Sequence, residues 1–525
     1  MLFGLLMPVL GTAGIAVRNV ASKFNTMATP ELGQMPVRSQ ILDRQGHLIA
    51  YYYPRGIDRV PVKFSHIAPV MRHAIVAIED SRFFQHGAID FRGTVRALVN
   101  NVRHQPIQGG STLAQQYVKN VLILSSANPQ AAFASAASDT LGRKIRELRM
   151  ASRVEHTMTK DQVLTGYLNA AYYGNDAYGI QVAAHRYFDT SPAHLTLPQA
   201  ALLAGIVENP AGYNPLTDPK TALERRNTVI AKMAQLHYIT KATAAAAEKH
   251  HLALHPKTSQ MGCISATARS AAFFCDYVLA VIHHDKAYAK VWKRLNGSGG
   301  LTIHTTLDRQ DQQAAQHAVH YELPQPPSVV NPGHNADTEV LIQPGTGRVR
   351  AIAIDRKYGY GRGQTTVNYA VGPQYHGGYG VQIGSTGKVY TMVAALEQGV
   401  PFGYSRTVGY RTTVSGFTNC EGQPTHPWHV HNDESEHGGH YTLYTGTTAS
   451  INVFFAYLEQ KVGLCASVRT AARMGLTWPD GKSLLKPDRR EGHAQSADNF
   501  PSFTLGSANV TPMGVAAADA VLPAR

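Results

Sequence analysis

The sequence predicts a multidomain chain with an N-terminal membrane helix, a mainly helical domain, and then an α+β domain. Three observations carry this. The 525 residues exceed one ordinary core, since a domain takes roughly 150 residues. From about residue 67 to 251 apolar residues recur at helical spacing, with breakers clustered between segments. From residue 301 onward, strand-like alternation at 301–306, 339–342 and 349–354 mixes with helices expected at about 385–398 and 450–460.

At the N-terminus, residues 1–17 are apolar apart from Thr12 and carry no charge. A spanning helix needs about 20 apolar residues, so residues 1–18 read as a single-pass anchor, with a cleaved signal peptide as the alternative. Residues 37–55 read as a hairpin turned at Asp43-Arg44-Gln45-Gly46. The expected division is 37–250 for the helical domain, 251–334 for a linker region containing Pro-rich 324–333, and 335–525 for the α+β domain. Hydrophobic residues make up 44% of the chain, which supplies globular cores. Lysine and arginine exceed acids by 49 to 35, a net charge of +14, which favours an anionic membrane surface or a phosphate-bearing substrate. No basic run with interleaved aromatics occurs, so no nucleic-acid partner is expected. The four cysteines form no C-x-x-C pair. In an exported chain the simplest pairing by proximity is Cys263 with Cys275 and Cys420 with Cys465.

Five segments carry the chemistry of the first half. Glu79-Asp80 follows an apolar run and precedes Phe83 and His86; burial raises a carboxylate's pKa and can leave a base poised for proton abstraction. Gly109-Gly110-Ser111-Thr112 precedes Gln115, Gln116 and Lys119, a glycine turn and N-cap that aim helix N–H groups at an anion. Arg143, Lys144 and Glu147 share one turn of a helix. Tyr167-Leu168-Asn169 with Tyr172-Tyr173-Gly174, and the block from Gln199 through Gly205 and Tyr213 to Arg225-Arg226, complete the set. Singly, these last two read as packing and turn chemistry.

Together, in this order and spacing, the segments resemble the family 51 peptidoglycan glycosyltransferases over roughly residues 40–245. One departure is Ala88, where the family has glycine two residues after the histidine. The resemblance implies a lysozyme-like helical fold acting on lipid II, an undecaprenyl-pyrophosphate disaccharide-pentapeptide, and on the growing glycan strand. It assigns Glu79 as general base, Glu147 as second carboxylate, and Lys119, Arg143 and Lys144 as holders of the pyrophosphate. Asp80, Phe83, His86, Ser111, Thr112, Gln115, Gln116 and Asn169 join the substrate-binding set. No cofactor is required, with a divalent cation (Mg2+ or Mn2+) as an optional aid. Moenomycin is the expected inhibitor.

The second half carries Ser385-Thr386-Gly387-Lys388, an S-x-x-K box whose serine and lysine share a helix face, and Ser450-Ile451-Asn452, an S-x-N box. With Gly300-Leu301-Thr302 before and Gly506-Ser507 after, this half resembles the transpeptidase domain of class A penicillin-binding proteins. Ser385 would be the nucleophile acylated by D-Ala-D-Ala or penicillin, with Lys388, Ser450 and Asn452 around it. The family's K-T-G box does not occur, Gly387 replaces a bulky residue, and Asn368-Tyr369-Ala370 stands for N-R-A; the expectation is a truncated, impaired transpeptidase. The histidines at 426, 429, 431, 437 and 440 lack paired ligand spacing and read as a solvated loop. The overall expectation is a membrane-anchored, extracytoplasmic enzyme of cell-wall synthesis, working with other cell-wall proteins. The rivals are a muramidase-like hydrolase and a non-catalytic scaffold.

Overall fold

Proline at the first helical position, with its missing N–H and fixed φ, opens the first helix of the helical unit, α1 (Pro69–Glu79). Met71, Ala74, Ile75 and Val76 give it a buried face. Thr112 caps α2 (Leu113–Ser125), its hydroxyl accepting from the Gln115 N–H at 3.3 Å. α3 (Pro129–Ala136) and α4 (Leu141–Thr157) follow. A capping box of Thr159 and Gln162 starts α5 (Lys160–Ala170). Next come α6 (Ile180–Phe188) and α7 (Leu197–Ile206), in which Ala200 through Ile206 are all buried. Asp218 caps α8 (Pro219–Gln235) and Thr240 caps α9 (Lys241–Glu248). The largely apolar α7 packs against α1 and α8, while α2 packs against α4 and α5. One apolar cluster joins these helices. The unit is mainly helical, as the sequence predicts.

The computed structural model describes residues 33–88, 90, 111–136, 141–258, 261–266, 269–322, 335–433, 437–487 and 495–522. The expected membrane segment 1–18 and the Pro-rich stretch 324–333 lie outside them. Among the described residues no helix is long and apolar enough to cross a membrane. Contacts divide the described chain into two units: residues to 40, 51–261 and 293–302 in the first, and 41–50, 262–292 and 303 onward in the second.

The expected hairpin forms from β1 (Ser39–Leu42) and β2 (Leu48–Tyr52). Asp43 closes its turn by accepting from the Gln45 and His47 N–H groups, both at 2.9 Å. The region 251–334 corrects the sequence reading: it is not merely a linker. It supplies α10 (Ala272–His284) and α11 (Ala289–Asn296), and Phe273, Phe274 and Cys275 are core residues of the second unit. The strand expected at 301–306 is β3 (Thr302–His304), and α12 (Arg309–Glu322) follows. Periodicity missed α10 because it is apolar nearly all round, leaving no polar face to mark a period. α12 packs on the antiparallel pair β4 (Thr338–Gln343) and β5 (Arg348–Ile354), turned at the expected Pro344-Gly345-Thr346-Gly347. A second core surrounds α13 (Lys388–Glu397), α14 (Leu443–Thr448), α15 (Asn452–Val462) and α16 (Leu464–Arg473). Both disulfides form as expected, Cys263–Cys275 and Cys420–Cys465.

Candidate active sites

In the helical unit Glu79 is the last residue of α1, held half-buried at the end of an apolar face. Its Oε2 accepts from Gln116 Nε2 at 2.8 Å, which ties α1 to α2. Gln116 Oε1 in turn accepts from the Tyr167 hydroxyl of α5 at 3.2 Å. Burial pushes the Glu79 carboxyl above its ordinary range; the Gln116 bond and Arg225 pull it down, while Glu208 and Asp80 push it further up. Arg225 pairs with Glu208 at 2.8 Å, and its guanidinium lies 5.4 Å from the Tyr213 ring centre.

Asp80 holds the neighbouring loop. Its Oδ1 meets His86 Nε2 at 2.7 Å and its Oδ2 accepts from the Leu113 N–H at 3.1 Å, at the start of α2. The Ala88 carbonyl accepts from Thr112 Oγ1 at 3.1 Å and Gln115 Nε2 at 2.9 Å. Ala88 is not among the described residues with positive φ, so alanine in place of the family's glycine carries no left-handed strain. Ser111 precedes the Thr112 cap, half-buried. Lys119 lies one turn beyond Gln116 on α2, and Lys144 and Glu147 lie one turn apart on α4, which packs on α2; Glu147 is buried. Arg143 belongs to α4, and its side chain lies outside the described part of the molecule.

Two sequence-selected residues have their polar or apolar surface committed to the protein. The Asn169 amide is buried and bonds both sides of Val62, accepting from its N–H at 2.9 Å and donating to its carbonyl at 2.8 Å. Phe83 is fully buried, with Lys160 Nζ 4.6 Å from its ring centre. Both shape the site from behind. Asp80, His86 and Asp90 bring three ligand-type atoms within 4.8 Å of one another; Asp80 is already bonded to His86 and Asp90 to Arg82. Sequence reasoning left out Glu208 and passed over Tyr167, Tyr173 and Arg225 as packing, because only the fold brings them beside Glu79.

In the second unit Ser385 sits exposed on a single 3-10 turn (Gly384–Gly387) that runs into α13. Lys388 is buried, and its Nζ lies within hydrogen-bond distance of Ser385 Oγ at 3.1 Å, Ser450 Oγ at 2.8 Å, Asn452 Oδ1 at 2.7 Å, and the Ser450 carbonyl. Ser450 joins α14 to α15 with a left-handed φ of 57°, which turns its carbonyl and hydroxyl onto the same nitrogen. Gly387 answers a steric need. A Cβ there would lie 2.7 Å from Gly506 N, and one on Gly506 would lie 2.2 Å from the Gly384 carbonyl oxygen. The nucleophile turn therefore rests backbone to backbone on Gly506. Of the loop histidines, His429 and His431 lie on a strand at Trp428–His431 and His440 on one at Gly439–Thr442; His429 bonds Thr413 and His440 bonds Thr407.

These two constellations match known families. The transglycosylase family model matches residues 45–234, and the penicillin binding protein transpeptidase domain model matches residues 338–523. Penicillin-binding protein 1A of Mycobacterium tuberculosis is 33% identical over 391 residues, covering 73% of this chain and 43% of that protein. Penicillin-binding protein 2D of Bacillus subtilis is 27% identical over 477 residues, covering 89% and 59%. The crystal structure of penicillin-binding protein 1A from Haemophilus influenzae shares the fold, with a TM-score of 0.51 at 18% identity over 94% of this chain and 68% of that one. The chain spans about half the length of the curated relatives it matches. The chain thus carries a transglycosylase family domain followed by a penicillin binding protein transpeptidase family domain. The chain belongs to the bifunctional class A penicillin-binding proteins.

Proposed function

We propose that the chain polymerises lipid II into glycan strands, releasing undecaprenyl pyrophosphate, at the extracytoplasmic face of a membrane it is anchored to. One observation carries this reading: a half-buried carboxylate, Glu79, ends α1 and is bonded to α2, against which the cation-bearing α4 packs. Glu79 takes the proton from the 4-hydroxyl of the acceptor sugar as that oxygen attacks C1 of the donor. The new C1–O bond forms as the C1–O bond to the lipid pyrophosphate breaks, inverting C1. Lys119, Arg143 and Lys144 receive the negative charge that grows on the leaving group, and positioned cations of this kind are commonly a large catalytic term. Glu147 is the second carboxylate, and moenomycin competes for the site of the growing strand. In the test, Glu79→Gln is incubated with lipid II; a loss of about 10²–10⁴-fold in polymer formation is expected, and a near-parent rate would overturn the assignment.

For the second domain we propose that Ser385 is acylated by penicillin: Lys388, in its neutral amine form, takes the Ser385 proton as Oγ bonds the β-lactam carbonyl carbon, and the ring C–N bond breaks with the proton passing to the ring nitrogen. Labelled penicillin reads this directly: labelling of the parent that is lost in Ser385→Ala is expected, and labelling that survives Ser385→Ala would remove the nucleophile.

A further inference from the structure

The path from Tyr167 through Gln116 to Glu79 does more than connect three helices. Tyr167 is 1% exposed, and its hydroxyl donates to Gln116 Oε1 at 3.2 Å; Gln116 Nε2 then donates to Glu79 Oε2 at 2.8 Å. An amide has one accepting and one donating end. With a hydroxyl on the oxygen side, the Gln116 –NH2 must face the carboxylate. The reverse amide orientation would point its oxygen at Glu79, suiting a protonated carboxyl, and would leave the Tyr167 proton without the one acceptor the structure gives it. A buried donor without an acceptor is costly. We propose that Tyr167 is a positioning residue for the glycosyltransferase reaction, locking the Gln116 amide so that it favours the ionised, base-competent form of Glu79.

Among the described residues, the following groups act on Glu79 or lie beside it. Asp80 follows it in sequence, Gln116 comes from α2, Tyr167 from α5, Tyr173 from the turn after α5, Glu208 from the turn after α7, and Arg225 from α8. Glu208 and Arg225 are paired, so their effects on Glu79 largely offset. Tyr167 and Tyr173 are fully buried beside the carboxylate, and burial holds both phenols well above their ordinary pKa. Tyr167 thus stays a proton donor at any working pH. The bond from Gln116 Nε2 to Glu79 Oε2 leaves Oε1 as the oxygen that takes the substrate proton. The Tyr173 hydroxyl has no hydrogen-bond partner among the described residues, so it does not duplicate the lock.

This inference rests on Glu79 being the base, and its test separates the two claims. Polymerisation of lipid II is measured from pH 5 to 9 for the parent, Tyr167→Phe, Gln116→Met and the double variant. Removing the lock weakens the ionised form, so the acid limb of the kcat profile should move up by about half to one pH unit in each single variant. The double variant should move no further than Gln116→Met, and Tyr167→Phe alone should keep KM and thermal midpoint close to the parent. Fluorotyrosine at 167, a stronger donor that keeps the ring, should move the limb down and serves if the phenylalanine variant folds poorly. An unmoved limb in Tyr167→Phe, or single shifts that add in the double variant, overturns the lock. Inactive Glu79→Gln with an unmoved Tyr167→Phe profile removes only this inference; active Glu79→Gln removes the base itself and the lock with it.

Discussion

Glu459 lies inside the transpeptidase-like unit at 0% exposure, seven residues beyond Asn452 on α15, and neither carboxylate oxygen makes a well-formed hydrogen bond within the described residues. Burial pushes its carboxyl well above the ordinary range, and the Thr504 backbone offsets only part of this. The sign of the consequence follows. A carboxyl raised in the folded state binds its proton there while the unfolded chain has already lost it, so stability falls as pH rises above the unfolded value of about 4.5. The steepest slope is about 1.4 kcal/mol per pH unit. From pH 5 to 7 the folded unit should therefore lose stability through this one group. Glu459→Gln keeps the shape and cannot titrate, so its unfolding should be nearly flat over that range. It should equal the parent near pH 5 and exceed it near pH 7. All three tryptophans, Trp292, Trp428 and Trp478, belong to this unit, so urea unfolding followed by tryptophan fluorescence reports it selectively. Parallel unfolding of parent and variant from pH 5 to 7 would refute the reasoning.

The two disulfides close chain segments of 45 and 12 residues. On chain entropy alone, Cys420→Ser with Cys465→Ser should cost about 4 kcal/mol and Cys263→Ser with Cys275→Ser about 3 kcal/mol, read by the same fluorescence; the reverse order would show that native-state contacts outweigh the loop. Gly506 has φ of +71°, and a Cβ on it would press the Gly384 carbonyl, so Gly506→Ala should destabilise by about 2–4 kcal/mol and slow penicillin labelling at Ser385 more than tenfold. Gly403, with nothing within 4 Å of its added Cβ and an ordinary φ, is the control: Gly403→Ala should shift stability by less than about 1 kcal/mol.

Much of both sites could be read from the chain, for local reasons. Ser385 and Lys388 are three residues apart, so helix-like geometry brings them together whatever surrounds them. Thr112 caps α2 because a threonine ahead of an apolar run accepts from the N3 amide. The disulfides followed from having few partners to choose among. What escaped the sequence depends on distant segments meeting. Glu208 stands two residues past the buried α7 and reaches Arg225 and Glu79 only because α7 packs on both α1 and α8. Asn169 looks like a ligand-binding amide in its motif, yet the Val62 peptide takes both its ends. The Tyr167 hydroxyl in a run of apolar helix reads as core, and it is core; its donor finds Gln116 only once α5 lies on α2.

Glu79 and Glu459 show why a displaced pKa alone does not mark a site. Burial raises both carboxyls. Glu459 is closed on every side, so no substrate proton can reach it and the cost falls on stability alone. Glu79 is half-buried, has an amide donor fixed on one oxygen, and has a charged pair nearby whose two members pull its carboxyl in opposite directions. An open oxygen leaves room for a substrate proton, while the amide donor favours ionisation and burial opposes it. Of the two, only Glu79 therefore carries the functional assignment. The same comparison predicts that neutralising Glu459 stabilises the fold near pH 7, while neutralising Glu79 lowers the proposed lipid II polymerisation by about 10²–10⁴-fold.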